Sequence, residues 1–171
     1  MPQTTTYYER MKAKTYALTY AYKPNPNYVY FKGNDCTNFV SQCLRAGGAK
    51  NDDNPTHPWW YKNNQASICW SVAASLYWYI KTSTKTRKKG IIADTFTINT
   101  FDYDPSLFEL LEIGDIVQYR NKHGRIQHTA IITAFTRGKV PLISQHTYSA
   151  TNIPWQKEHP KTIFHHITSI Q

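Results

Sequence analysis

The chain has 171 residues, which suits one domain with a single core and leaves no room for two independent ones. Hydrophobic residues make up 40% of it and aromatic residues 15%, so the composition excludes a disordered protein. Lysine and arginine number 20 against 11 acidic residues, and the formal charge of +9 predicts a surface that attracts polyanions.

The basic residues and the cysteines narrow the classes of partner and cofactor. The densest basic run, Lys81 to Lys89, lacks an arginine-rich or aromatic-interleaved pattern, so a solvated basic face is favoured and no specific nucleic-acid partner is predicted. Cys36, Cys43 and Cys69 are an odd number without zinc spacing, so we expect a free thiol and no metal or other cofactor. No segment approaches the ~20 apolar residues of a membrane span, and the N-terminus lacks a signal-peptide core.

The first part of the chain predicts helices. Residues 4–22 form a helical pattern that prolines 24 and 26 end, with an apolar face of Tyr8, Met11, Thr15, Leu18 and Tyr22. Gly33, Asn34 and Asp35 then form a turn and a helix-cap signal. A second helix is predicted to begin at Cys36 and to end at Gly47 and Gly48, with a buried stripe of Phe39, Val40, Cys43 and Leu44.

The middle of the chain predicts a long loop and a third helix. Residues 51–64 are polar and contain Trp59 and Trp60, which could form a groove wall and stack on sugar or peptide. Residues 66–81 are predicted to be helical, with Ile68, Val72, Leu76 and Ile80 on the apolar face.

From about residue 90 the pattern favours strands. They are predicted at residues 116–120, 127–135, 140–147 and 162–167, with a hairpin turn at Arg137 and Gly138. The fold class is therefore α+β, in one domain over residues 1–171, with N-terminal helices packed on a C-terminal antiparallel sheet.

Cys36 is the candidate nucleophile. At the first turn of a helix, unpaired backbone N–H groups and the helix dipole favour a thiolate. Cys43 and Cys69 lie within apolar helical segments and are predicted to belong to the core.

His128 is the candidate base. It begins a strand in which Ala130, Ile132 and Ala134 share its face, so we expect the ring at the sheet edge, above an apolar floor that packs against the helices. A third group on the adjacent strand should orient the ring. Gln145 shares the face of His128 if the hairpin has two loop residues, and His146 does so if a bulge adds one.

The segments NDCTNFVSQCLRAGG, GDIVQY, HTAIIT and SQHT together resemble the bacterial putative amidase domain family over nearly the whole chain. The resemblance implies a papain-like fold, related in layout to CHAP amidases and NlpC-type peptidases. It also implies a cysteine-dependent amide hydrolase with Cys36 as nucleophile, His128 as base and His146 as the orienting residue, and Gln145 remains the alternative. In the implied mechanism Cys36 and His128 form an ion pair, and the thiolate attacks an amide carbonyl.

The oxyanion formed on attack needs hydrogen-bond donors. The backbone N–H of Cys36 is the first candidate, Asn34 is the second by proximity, and Asp35 supports the site. The alternatives are a transferase with the same dyad, or a non-catalytic basic module that binds an anionic wall polymer or a partner protein.

The resemblance further implies a peptidoglycan substrate, with an inhibitor or immunity protein as a possible partner. That substrate lies outside the cytoplasm, whereas the sequence shows no export signal. A domain of a longer exported protein, a phage lysin and a secreted effector all remain open.

Overall fold

A computed structural model describes residues 7–171. It contains four α-helices, which are α1 Arg10–Tyr20, α2 Cys36–Ala46, α3 Ile68–Ser71 and α4 Ala73–Thr82. A π-helical turn, Ser83–Arg87, continues α4, and a 3-10 turn covers Pro105–Leu110. The strands are β1 Tyr61–Lys62, β2 Gln65–Ala66, β3 Ile91–Asn99, β4 Ile116–Arg120, β5 Ile126–Phe135, β6 Pro141–Gln145, β7 Ala150–Pro154 and β8 Lys161–Ile170.

Six of these strands form one antiparallel sheet in the order β3-β8-β4-β5-β6-β7, and β1 and β2 form a separate short hairpin. The helices precede the six strands in the chain, which confirms the α+β class. Strand β4 was predicted with its observed bounds, β5, β6 and β8 were predicted approximately, and β3 and β7 were not assigned as strands.

The two faces of the six-stranded sheet contribute to separate apolar clusters. Ile116 and Ile131 pair across β4 and β5 and belong to the cluster that contains the helices. Val117 and Ala130 lie on the opposite face and pack with Trp155 in a second cluster. The buried interior therefore lies on both sides of the central strands, which fixes their backbones firmly.

The buried face of α1 differs from the prediction, which began at residue 4 and thus partly lies outside the described residues. Met11 and Tyr22 are exposed, and the helix buries Ala13 and Ala17 instead. Small side chains allow α1 to approach α2 closely. At the end of α2, a Cβ on Gly47 would lie 2.3 Å from the ring of Tyr8, which precedes α1, so the contact of this ring with the end of α2 requires glycine.

The second helix has the predicted bounds, whereas the third is interrupted. Val72 has extended dihedral angles between α3 and α4. The carbonyl of Trp70 accepts a hydrogen bond from Ser41 Oγ at 2.7 Å, so a side chain from α2 occupies a carbonyl near the break. The indole Nε1 of Trp70 donates to Asn38 Oδ1 at 2.8 Å, which ties the buried ring to α2.

The β5–β6 hairpin contains two irregularities that cancel. The Thr136 N–H donates to the Val140 carbonyl, so the loop has three residues, and Lys139 adopts a positive φ of 62°. An extra residue, Thr133, then bulges from β5 and shifts the register back by one. Ile131 consequently pairs with Ser144, and this register places Gln145 on the face of Ala130 and His128.

Candidate active site

A cleft of about 370 Å³ opens where β6 ends and the chain turns. Both Cys36 and His128 line this cleft, so the structure brings the two predicted catalytic side chains to one site. The complete lining among the described residues is Gly33, Asn34, Cys36, Gln127, His128, Thr147, Tyr148, Lys157 and His159.

The start of α2 positions Cys36. No side chain within residues 7–171 caps the first turn of this helix, so its N–H groups remain available near the thiol. Thr37 Oγ1 lies 2.9 Å from Thr129 Oγ1, which joins the residue after Cys36 to the residue after His128. The side chain of Cys36 is 4% exposed.

The ring of His128 is oriented by Gln145. His128 Nε2 lies 2.8 Å from Gln145 Oε1, and Gln145 Nε2 donates to the Tyr148 carbonyl at 2.9 Å. Because a carbonyl only accepts, the second contact fixes the orientation of the amide, and Nε2 of His128 must donate to Oε1. In this tautomer Nδ1 is unprotonated and is the nitrogen that can accept a proton.

Burial lowers the pKa of His128 from its ordinary value of 6.5 to about 4. The hydrogen bond to Gln145 acts in the opposite direction, and the positive charge of Lys157 together with nearby His159 lowers the pKa further. The imidazole is therefore neutral at neutral pH. This state suits a base that removes a proton during attack better than the preformed ion pair that the resemblance implies.

The apolar residues that share the face of His128 were predicted to pack against the helices, but they lie on the face of the sheet away from the helices. Ala130 and Ile132 do share the face of His128, but that face packs against Trp155 in the second apolar cluster. The helices contact the opposite face, where Thr129 and Ile131 lie. The alternation alone could not decide this, because both faces of β5 are buried.

His146 does not contact His128, which corrects the preference for His146 as the orienting residue. Its Nδ1 lies 2.5 Å from Asp35 Oδ2, and its Nε2 donates to the Tyr20 carbonyl at 2.7 Å. Both ring nitrogens thus have an oxygen partner within the protein. The ring also stacks on Phe39 at a centroid distance of 4.1 Å. His146 joins the loop before α2 to the end of β6.

Asp35 lies at the N-cap position of α2, but its side chain does not cap the helix. Its Oδ1 accepts from the Phe31 N–H at 2.9 Å and from Asn38 Nδ2 at 2.8 Å. Together with His146 Nδ1, these donors occupy both carboxylate oxygens. These contacts of Asp35 fix the turn that precedes Cys36.

A chain of buried polar side chains runs beneath the helices toward Cys36. Gln118 Nε2 donates to the Ala73 carbonyl and, at 3.1 Å, to Thr129 Oγ1, while Gln118 Oε1 lies 2.8 Å from His165 Nε2. Thr129 can then donate to Thr37, whose Oγ1 lies 3.7 Å from Cys36 Sγ. This series of polar contacts ends at the Cys36 sulfur.

The remaining predicted site residues lie at different places. Asn34 is exposed and lines the cleft. Trp59 is fully buried, and its Nε1 donates to Ser41 Oγ at 3.1 Å, so Trp59 cannot stack on a substrate. Trp60 is half-buried beneath the Lys62 ammonium and does not line the cleft. The aromatic pair was misjudged because apolar anchoring of a loop has the same pattern as a groove wall.

Tyr148, Lys157 and His159 line the cleft but were not predicted as site residues from the sequence. Tyr148 is 87% exposed at the mouth of the cleft, and Lys157 and His159 lie on its wall. They follow β6 and β7, and no local motif signals that these loops reach Cys36. The pairing order of the sheet is what brings them there.

The other two thiols lie outside the cleft. Burial raises the pKa of Cys43 well above its ordinary value and that of Cys69 to about 11. Both thiols are therefore protonated at neutral pH, in agreement with their assignment to the core.

Comparison with known families shows which family the chain belongs to. The family model described as "Putative amidase domain" matches residues 7–168, so the chain belongs to that family. Membership indicates an amidase-like hydrolase that acts on amide bonds.

Two relatives come from Bacillus subtilis (strain 168), and both are described as uncharacterized proteins. YhbB is 36% identical over 154 residues, which cover 88% of this chain and 45% of YhbB. YjcM is 31% identical over 155 residues, which cover 86% of this chain and 32% of YjcM. The chain thus spans less than half the length of either relative. No solved structure matches it. Among the described residues, no helix has both the length and the apolar character to span a bilayer.

Proposed function

We propose that the chain is a cysteine-dependent amide hydrolase with Cys36 as nucleophile, His128 as base and Gln145 as the orienting residue, in a papain-like layout. The observation that carries this proposal is the shared cleft, in which Gln145 holds the His128 ring and leaves Nδ1 unprotonated on the same cleft as the thiol. Family membership supports the amide bond as the target.

In the proposed reaction Nδ1 of His128 removes the thiol proton as Cys36 Sγ bonds to the amide carbonyl carbon. The oxyanion then forms near the N–H groups at the start of α2, where the backbone of Cys36 and the side chain of Asn34 are the candidate donors. The imidazolium returns the proton to the leaving amine as the C–N bond breaks. Water, deprotonated by His128, releases the acid and restores the thiol.

We propose peptide amides of peptidoglycan as the substrate class. The charge of +9 favours association with the anionic polymers of a cell wall. The reaction itself needs only the thiol, the base and water.

The test is digestion of purified sacculi with wild type, Cys36→Ala and Cys69→Ala, followed by identification of released fragments by mass. Wild type and Cys69→Ala should release the same fragments, and Cys36→Ala should release none. The new termini would identify the bond that is cut. Binding of sacculi by wild type without any released fragment would overturn hydrolysis and favour the wall-binding module.

A further inference from the structure

The cleft that contains Cys36 has a basic lining. None of the nine described lining residues is acidic, whereas Lys157, His159 and His128 can each carry a proton. All three surround the buried ring of Tyr119. The centroids of the His128 and His159 rings lie 5.7 Å and 5.5 Å from that of Tyr119, and Lys157 Nζ lies 5.5 Å from it.

Lys157 is the side chain in this group whose positive charge has no acidic partner among the described residues. It is half-buried, and burial lowers the pKa of its ammonium group with no carboxylate of the described residues opposing that shift. Removing an ammonium group from water is costly, and a nearby acid ordinarily offsets that cost where a lysine is buried. The Tyr119 ring offers only a partial substitute through its π face.

His128 and His159 do not need an anion in the same way. Burial lowers the pKa of each, and the charge of Lys157 lowers both further, so the two rings are neutral at neutral pH. The cleft therefore presents one desolvated cation beside two neutral rings, in the same cavity as the Cys36 thiol.

We propose that Lys157 forms an anion subsite that binds a carboxylate of the substrate next to the amide bond under attack. This inference rests on the proposed function and specifies its substrate class, which is a peptide with a free carboxylate close to the scissile amide. A single ammonium group supplies the charge, and the neutral ring of His159 can add a hydrogen bond.

The test uses two alkylating reagents of nearly equal size, the anion iodoacetate and the neutral iodoacetamide. The rate of Cys36 alkylation is measured with each in wild type, Lys157→Met, Lys157→Arg and Lys89→Met, and background from other thiols is subtracted with Cys36→Ala. In Lys157→Met the ratio of the iodoacetate rate to the iodoacetamide rate should fall about tenfold, as expected for loss of the charge that concentrates an anion in a cleft. Lys157→Arg should retain the wild-type ratio.

Lys89 is exposed and does not line the cleft, so Lys89→Met controls for net charge. An equal ratio in wild type and Lys157→Met, or an equal fall in Lys89→Met, would overturn the subsite. Thermal unfolding of each variant shows whether the fold is retained, and the iodoacetamide rate shows whether the thiol remains accessible. The ratio of alkylation rates does not depend on hydrolysis. A preference for the anion that Lys157→Met abolishes, together with no release of wall fragments, would contradict the proposed enzymatic function and support the anion subsite.

Discussion

The ring of His128 lies between a group that orients it and a group that opposes its protonation. Gln145 accepts the Nε2 proton, and the positive charge of Lys157 makes a second proton on the ring less favourable. The base in the proposed reaction must be neutral. Its working range therefore extends to lower pH than that of an ordinary histidine.

The pH dependence of activity follows from this environment. Since the pKa of His128 is lowered to about 4, kcat/KM should fall only as the pH drops well below 6.5. Lys157→Met removes one cause of the lowered pKa and should move this acidic limb to higher pH, whereas Lys89→Met should not move it. Initial rates of amide hydrolysis between pH 3 and 8 provide the measurement; a limb at 6.5 in wild type would contradict the described environment.

Gln145 and His146 are neighbours with separable tasks. Loss of a general base typically costs about 10²- to 10⁴-fold in rate, and we expect that range for His128→Ala and a smaller factor for Gln145→Met, which removes the acceptor at similar volume. Gln145→Glu keeps the acceptor, and its charge should raise the pKa of His128, so its acidic limb should move upward. Wild-type kcat in Gln145→Met would end its assignment as the orienting residue.

His146 should affect stability in the first place. His146→Gln removes the imidazole that hydrogen-bonds to the buried carboxyl group of Asp35, and leaving a buried polar group without its partner typically costs about 1–3 kcal/mol. Urea unfolding at pH 7 measures this loss. An unchanged free energy of unfolding together with a lost kcat would instead restore His146 to the catalytic group.

At the scale of elements, one pair of hydroxyl groups adds a polar link to the apolar contact between α2 and β5. Thr37→Val and Thr129→Val each remove one hydroxyl group of this buried pair, so the remaining hydroxyl group loses a hydrogen-bond partner. Such a loss typically lowers the free energy of unfolding by about 1–3 kcal/mol. The double variant should cost less than the sum of the two single variants, because it leaves neither hydroxyl of the pair unmatched. Additive losses in a double-mutant cycle would show that the two groups are not coupled.

Helix α2 could be predicted because several local signals agree. A turn precedes Cys36, one continuous apolar stripe follows, and two glycines end the helix. The position of Cys36 at a helix start is local information of this kind. So is the placement of His128 near the start of a strand.

The third group could not be predicted, because it depends on the register of β5 and β6. The turn adds a residue at Lys139, where a positive φ is not signalled by glycine, and the bulge at Thr133 removes that shift. Neither residue type indicates its conformation. The break between α3 and α4 and the buried alanines of α1 were not predicted for a related reason, because contacts between residues distant in sequence determine them.

At the scale of the whole molecule, two histidines make the fold sensitive to acid. Burial lowers the pKa of His165 to about 3, with a smaller contribution from Lys81, and that of His128 to about 4. The unfolded chain takes up protons at these residues near 6.5, whereas the folded chain resists them to the lower values. Stability should therefore fall as the pH drops from about 6.5 toward these values.

Each of these histidines contributes up to about 1.4 kcal/mol per pH unit within that window. His165→Gln can still donate to Gln118 and accept from Thr95, so it should remain folded and show a shallower loss between pH 7 and pH 5. His166 acts in the opposite direction, because its hydrogen bond to Asp115 raises its pKa. Free energies of unfolding at the two pH values test this, and equal slopes for wild type and His165→Gln would refute the role of His165.

The paired irregularities of the β5–β6 hairpin have a consequence for how such sites diverge. Straightening of the Thr133 bulge, with the three-residue loop at 137–139 retained, would slide β6 by one position against β5 and exchange the faces of Gln145 and His146. An imidazole would then replace the amide beside His128, although neither residue 145 nor residue 146 had changed. A change of pairing at the bulge thus alters the chemistry available to a descendant enzyme.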